Sequence, residues 1–189
     1  LDARVLRAPG PGGEPLDSLE LRFRRFRWAD LVEGGGRVGA VQDADGVRWT
    51  VDLRPRPGGR LSGGGTLAGL GTEADPRWGG DLRLDSVLEP RSGSALSGRV
   101  RGEGVGAALP TTLGVSLSAS VLAGWTLDTA TVAWQAEGGG GQIQGGAGGP
   151  LGRVALDAAL GIGEDGGRLD LRALQLDSVG PPAGETEEA

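Results

Sequence analysis

The chain has no Cys, His, Met or Tyr, and all of its 19 basic residues are arginine. Lys and Asn are also missing. Without Cys there is no disulfide and no thiolate metal site, and the redox compartment stays open. Without imidazole, amine, phenol or thiolate, the usual bases and nucleophiles are gone. Asp, Glu, Ser, Thr and Arg are what remains for chemistry. Ser94 and Ser97 have no His or Lys to activate them, so a serine nucleophile is not expected. Two carboxylates could form a glycosidase pair, but no acid stands in an apolar neighbourhood that would single it out. We therefore expect no enzyme, no catalytic residue and no cofactor. No run of 18 apolar residues exists in the sequence, so no helix spanning a bilayer is expected. No charged-then-apolar leader is present either. Starting at Leu1 and lacking Met, the chain reads as a processed product or an excised segment, with any signal or anchor outside it. The net charge of −6 argues against nucleic acid as a partner.

What is present is glycine, 39 of 189 residues, far above the usual share of about 7%. With arginine as the sole base, this looks like the codon bias of a GC-rich bacterial genome. The other dominant feature is alternation. From Leu113 to Val121, apolar and small polar residues change places at every step, and Trp125 to Trp134 follows a break at Leu122-Ala123-Gly124. Period two marks a strand with one apolar and one wet face, and two such runs around a Gly-containing break mark a hairpin.

The same pattern recurs along the chain. Strands are expected over 1–8, 16–28, 36–42, 47–54, 60–70, 78–85, 96–105, 142–146, 151–162 and 168–176, besides the central hairpin. Asp45-Gly46 is a turn signal. Residues 29–35 read as a connection with room for a turn of helix. In 16–28, Leu19, Leu21 and Phe23 have one parity, and Phe26 and Trp28 the other. One extra residue near Arg24-Arg25 would bring both sets to one face, which predicts a β-bulge. Leu169 and Leu171 against Leu174 and Leu176 predict a second bulge near Arg172-Ala173. The fold class expected is all-β: a long, strongly curved antiparallel meander of about eleven strands, a β-groove (taco) or open barrel. Residues 1–180 form a single β domain, and 181–189 a flexible acidic tail.

Bulky residues are too scarce to fill the middle of a closed sandwich. A coiled meander would leave an apolar trough incompletely plugged by its own side chains, and such a trough takes acyl chains or hydrophobic peptides. The lining candidates are Leu19, Leu21, Phe23, Phe26, Trp28, Val47, Trp49, Val51, Leu53, Leu82, Leu84, Leu113, Val115, Leu117, Val121, Val132, Trp134, Leu156, Leu169 and Leu171. The five tryptophans, Trp28, Trp49, Trp78, Trp125 and Trp134, read either as lining and rim anchors or as packing residues. Arg22, Arg24, Arg25 and Arg27 are candidates for lipid phosphate, since guanidinium forks match phosphate oxygens; the other reading is a solvated face. Asp43-Ala44-Asp45-Gly46 begins like a calcium loop, but Val47 and Arg54 stand where ligands are needed. It reads as a turn, as does Gly163 to Gly167. Gly138 to Gly149 lacks the Lys and Ser/Thr of a phosphate loop. No metal site is expected.

The segments Leu61-Ser62-Gly63-Gly64-Gly65-Thr66-Leu67-Ala68-Gly69, Leu96-Ser97-Gly98-Arg99-Val100-Arg101-Gly102 and Gly166-Gly167-Arg168-Leu169-Asp170-Leu171 resemble the Leu-x-Gly-x-Val/Leu-x-Gly phrasing of the bacterial AsmA/TamB superfamily. Type II secretion protein N is similar in style. The resemblance implies a taco-shaped groove in the periplasm or cell envelope, part of or cleaved from a longer protein. It implies a phospholipid or other acyl-chain ligand, a role in inter-membrane lipid transport or in outer-membrane or secretion assembly, and membrane or envelope-assembly proteins as partners. The alternative is a ligand-free structural β-sandwich or adhesion-type surface module. An outer-membrane barrel is disfavoured by the absence of Tyr and of an aromatic girdle.

Overall fold

The computed structural model describes residues 2–9, 15–28, 32–43, 45–69, 75–89, 92–106, 109–163 and 166–178. Every regular element among them is a β-strand, in the order β1 (Asp2–Pro9), β2 (Pro15–Trp28), β3 (Val32–Asp43), β4 (Gly46–Arg56), β5 (Arg60–Ala68), β6 (Arg77–Glu89), β7 (Ser94–Val105), β8 (Thr112–Leu122), β9 (Trp125–Glu137), β10 (Gly140–Gly149), β11 (Gly152–Gly163) and β12 (Gly166–Ser178). They form one 12-stranded sheet in strict sequence order, each strand antiparallel to the next. The sheet is open: among the described residues β1 pairs only with β2, and β12 only with β11.

Short turns make this topology the natural outcome. Ala123 and Gly124 sit at φ 48° and 86°, and Gly138 and Gly139 at 46° and 83°. Two successive positive φ values give the type I′ turn whose twist suits a hairpin. The strands number twelve, one for each span read from the sequence, against the rounded expectation of about eleven. Residues 32–35 are not a helical turn but the first residues of β3, pairing with β2 and β4. β4 runs on through Pro55 to Arg56, past the end of the expected span 47–54. The tail, 181–189, lies outside the described residues.

Both expected bulges are present. The β2–β3 register slips between Phe23 and Phe26. Ala173 and Leu171 pair with consecutive residues of β11, which leaves Arg172 without a register partner. Two more irregularities were not anticipated. One lies in β6 between Leu84 and Val87, with Ser86 at φ 48°, and one between β7 and β8, with Ala119 at φ 45°. Serines satisfy the backbone there. Ser97 Oγ accepts the Ser86 N–H at 3.1 Å. Ser120, wholly buried, accepts the Ser97 N–H at 3.0 Å. The amide of Ala123 donates to Ser94 Oγ at 3.0 Å. Ser94 and Ser97, weighed above as nucleophiles, hold the disrupted ladder together.

Among the described residues a packed interior is missing. Apart from Pro55 and some glycines, Trp134 and Ala158 are the only apolar residues buried among those described. Beyond adjacent strands, the main close approach is β4 to β6 across β5. A two-layer sandwich would bury the inner faces of both its sheets; this single sheet buries neither face in that way.

Candidate functional site

The register assigns side chains to faces, because directly opposed residues of an antiparallel pair share a face. One row across β2–β12 reads Leu21, Val38, Val51, Gly63, Leu82, Val100, Val115, Val132, Gly145, Leu156, Leu174. Two residues along each strand, a second row reads Leu19, Ala40, Trp49, Gly65, Gly80, Gly102, Leu113, Trp134, Ile143, Ala158, Leu171. A third reads Phe23, Gly36, Leu53, Leu61, Leu84, Gly98, Leu117, Ala130, Ala147, Val154, Leu176. All three rows lie on one face, and none contains a charged residue. From β2 to β12, at roughly 4.8 Å per strand spacing, the apolar band is about 50 Å long.

The structure thus brings nearly all the sequence-derived lining candidates to one surface. Val47 and Leu169 flank the rows on the same face. Phe26 and Trp28 join it because of the β2 bulge. The side chains of Phe23, Phe26 and Trp28 lie outside the described residues, so their placement rests on backbone register. Val121 is the exception: it pairs with Ala95 and Thr126 beyond the β8 irregularity and falls outside the rows.

Tryptophan and glycine work together on this face, a relation that strand register reveals and linear sequence does not. Trp49 lies across the next two strands, where a Cβ on Gly65 or on Gly80 would come within 2.7 Å of its ring. A Cβ on Gly104 would come as close to Trp78. Trp134 covers Gly141 and donates its indole N–H to the Pro110 carbonyl at 2.7 Å. The rings lie down against backbone, so the band stays low and has little relief. Trp125 stands at a hairpin end, 61% exposed. Towards β12 the face opens further, and Leu176 is 71% exposed. An apolar cleft of ≈ 270 Å³ lies there, lined by Trp125, Leu127, Ala147, Leu151, Val154 and Leu176.

The opposite face is polar and its charge is uneven. Over β2–β7 the described side chains of that face include arginines 22, 37, 48, 54, 56, 60, 77, 83, 99 and 101, against the carboxylates Glu20, Asp52, Asp81, Asp85 and Glu103. Two cross-strand clusters recur. Asp52 receives Arg60 at 2.8 Å and lies 3.6 Å from Arg37. Asp81 receives Arg99, and Arg101 at 3.0 Å. The Arg60 hydrogen bonds hold the Asp52 carboxyl below the usual range, against a smaller opposing effect of desolvation. The Arg99 hydrogen bonds do the same for Asp81. Arg60 and Arg99 are correspondingly raised. A cleft of ≈ 720 Å³, lined in part by Arg37, Arg48, Thr50, Asp52, Arg60 and Ser62, runs along this face.

Of the phosphate candidates, Arg22 is bonded to Glu20 at 3.0 Å; the side chains of Arg24, Arg25 and Arg27 lie outside the described residues. The Asp43–Gly46 segment joins β3 to β4, with Gly46 at φ 143°. Among the described residues no group of acids could hold a metal ion, and no helix is long and apolar enough to cross a membrane. No family model, curated protein or solved structure matches the chain.

Proposed function

We propose that this chain is a non-enzymatic β-groove protein that shields lipid acyl chains along its apolar face. The observation that carries the reading is a three-row apolar band across β2–β12 with no second layer over it among the described residues. An uncovered apolar surface of this extent marks a binding surface rather than ordinary protein exterior. Each methylene moved from water onto it contributes about 0.8 kcal/mol when fully covered. The low relief left by tryptophans lying on glycines suits a ligand with no shape of its own. Strong curling of the ribbon about this band, which its glycines permit, belongs to the same proposal. So does a place in the bacterial envelope, in lipid transfer between membranes or in outer-membrane or secretion assembly.

The test is a titration of delipidated protein with a fluorescent long-chain fatty acid, alongside mass spectrometry of lipid retained through purification. Saturable binding that strengthens with chain length supports the proposal. Absence of saturable binding for every long-chain lipid tried overturns it and leaves a structural module.

A further inference from the structure

The polar face carries its own arrangement, independent of the acyl-chain reading. One row of that face, crossing β2 to β7, reads Arg22, Arg37, Asp52, Ser62, Arg83, Arg99. Arg22 is directly opposite Arg37, and Arg83 directly opposite Arg99. Like charges in directly opposed positions destabilise a strand pair. Glu20 offsets part of this at Arg22, Asp52 at Arg37 and Asp81 at Arg99. Arg83 makes no ion pair or side-chain hydrogen bond among the described residues, and it is exposed. The surrounding face holds twice as many described arginines as carboxylates, although the whole chain is at −6. Of the four guanidinium groups in the row, Arg83 alone is left without a carboxylate partner among the described residues, facing Arg99 across the strand pair. An external array of anions would convert the repulsion into attraction, and guanidinium forks suit phosphate oxygens.

We infer that the polar face of β2–β7 docks onto a surface of anionic phospholipid headgroups, with the Arg22–Arg99 row as its centre. An extended face, with basic residues spread over six strands and only three of them, Arg37, Arg48 and Arg60, lining the cleft there, fits a membrane surface better than one small anion.

The test is vesicle flotation of the full chain with pure phosphatidylcholine and with about one-third phosphatidylglycerol. Binding to the anionic vesicles alone, weakening as salt rises, is expected. Arg83→Gln should lower that binding about fivefold, from the usual contribution of one basic residue near an anionic surface. The same variant should keep or raise the thermal midpoint, because it removes a like-charge pair; a merely structural arginine would lower it. Arg153→Gln, the same charge change on β11, should alter binding less than about twofold. Equal binding to neutral vesicles, an Arg83→Gln variant that binds like wild type, or tighter binding to a single-stranded DNA oligonucleotide would each overturn the inference. Failure to take up fatty acid would leave it standing, since the two faces are read separately.

Discussion

Replacing Leu117 by Asp separates an open apolar face from a closed core. Leu117 is half-buried in β8, directly opposite Gly98 on one side and Ala130 on the other. Both neighbours are small, so most of its cover comes from the sheet beneath and little from the sides. Burying a leucine fully contributes about 1.5–3 kcal/mol, and half of that is about 1 kcal/mol. Asp is also a poor strand residue, by up to about 1 kcal/mol. The new carboxylate needs no partner, since it can rotate into water. The expected loss is therefore about 2 kcal/mol, a fall of roughly 4–8 °C in Tm for a chain of this size. In a closed core the unpaired charge would add several kcal/mol and unfold the protein. Far-UV circular dichroism melts and urea titrations give the number, with Ser116→Asp on the polar face as a control expected within about 0.5 kcal/mol of wild type. Fatty-acid uptake by the folded Leu117→Asp variant should drop at least tenfold, because a charge would stand under the ligand. A Leu117→Asp chain with no cooperative transition, or a loss above about 5 kcal/mol, would refute the open face.

Other expectations follow from the same geometry. Gly65→Ala puts a methyl group against the Gly79 carbonyl and the Trp49 ring; a loss of about 3 kcal/mol in urea titration is expected, at the upper end for overpacking. A change under 1 kcal/mol would mean that the Trp–Gly seat is loose. Asp81 titrates below its unfolded value because of Arg99 and Arg101, so between the two values the unfolded chain holds more protons than the native one. Its stabilisation is full above the unfolded value near ~4 and is lost as pH falls through the lower native value. Tm measured between neutral pH and acid should therefore hold steady and then fall, with a shallower fall in Asp81→Asn; identical acid limbs would contradict this. Asp157 Oδ1 is buried with no hydrogen-bond partner among the described residues, so Asp157→Ala should be neutral or mildly stabilising in a thermal melt.

How much of this was legible in the sequence depends on what each residue could signal. The β2 bulge was readable because Phe23 and Phe26 are large and of opposite parity, and only a slipped register puts both on the apolar face. The β12 bulge announced itself in the same way through Leu171 and Leu174. The irregularity at Ala119 gave no such sign, because the alternation from Leu113 to Val121 is unbroken; the one at Ser86 did leave Leu84 and Val87 on opposite parities, but Leu88 beside Val87 keeps the even parity and hides the slip. The segment Val32-Glu33-Gly34-Gly35 looked like a connection for want of side chains, yet Gly34 and Gly35 pair across to Pro55 and Arg54. The apolar face itself was visible in the alternation around Val115 and Val51. The seating of Trp49 over Gly65 and Gly80 was not, since it joins residues of three strands. The opposed arginines, 22 with 37 and 83 with 99, likewise emerge only once the register is known.

The most direct test of the uncovered face uses the absence of native cysteine. Val115→Cys would place a single thiol in the middle of the apolar band, and Ser116→Cys one on the polar face beside it. Maleimide labelling rates of the delipidated variants, with and without oleate, are the measurement. An open trough predicts that both thiols react without lipid and that oleate protects Cys at 115 alone. A thiol at 115 that is inert in the folded, lipid-free protein would show a covered face and contradict the account.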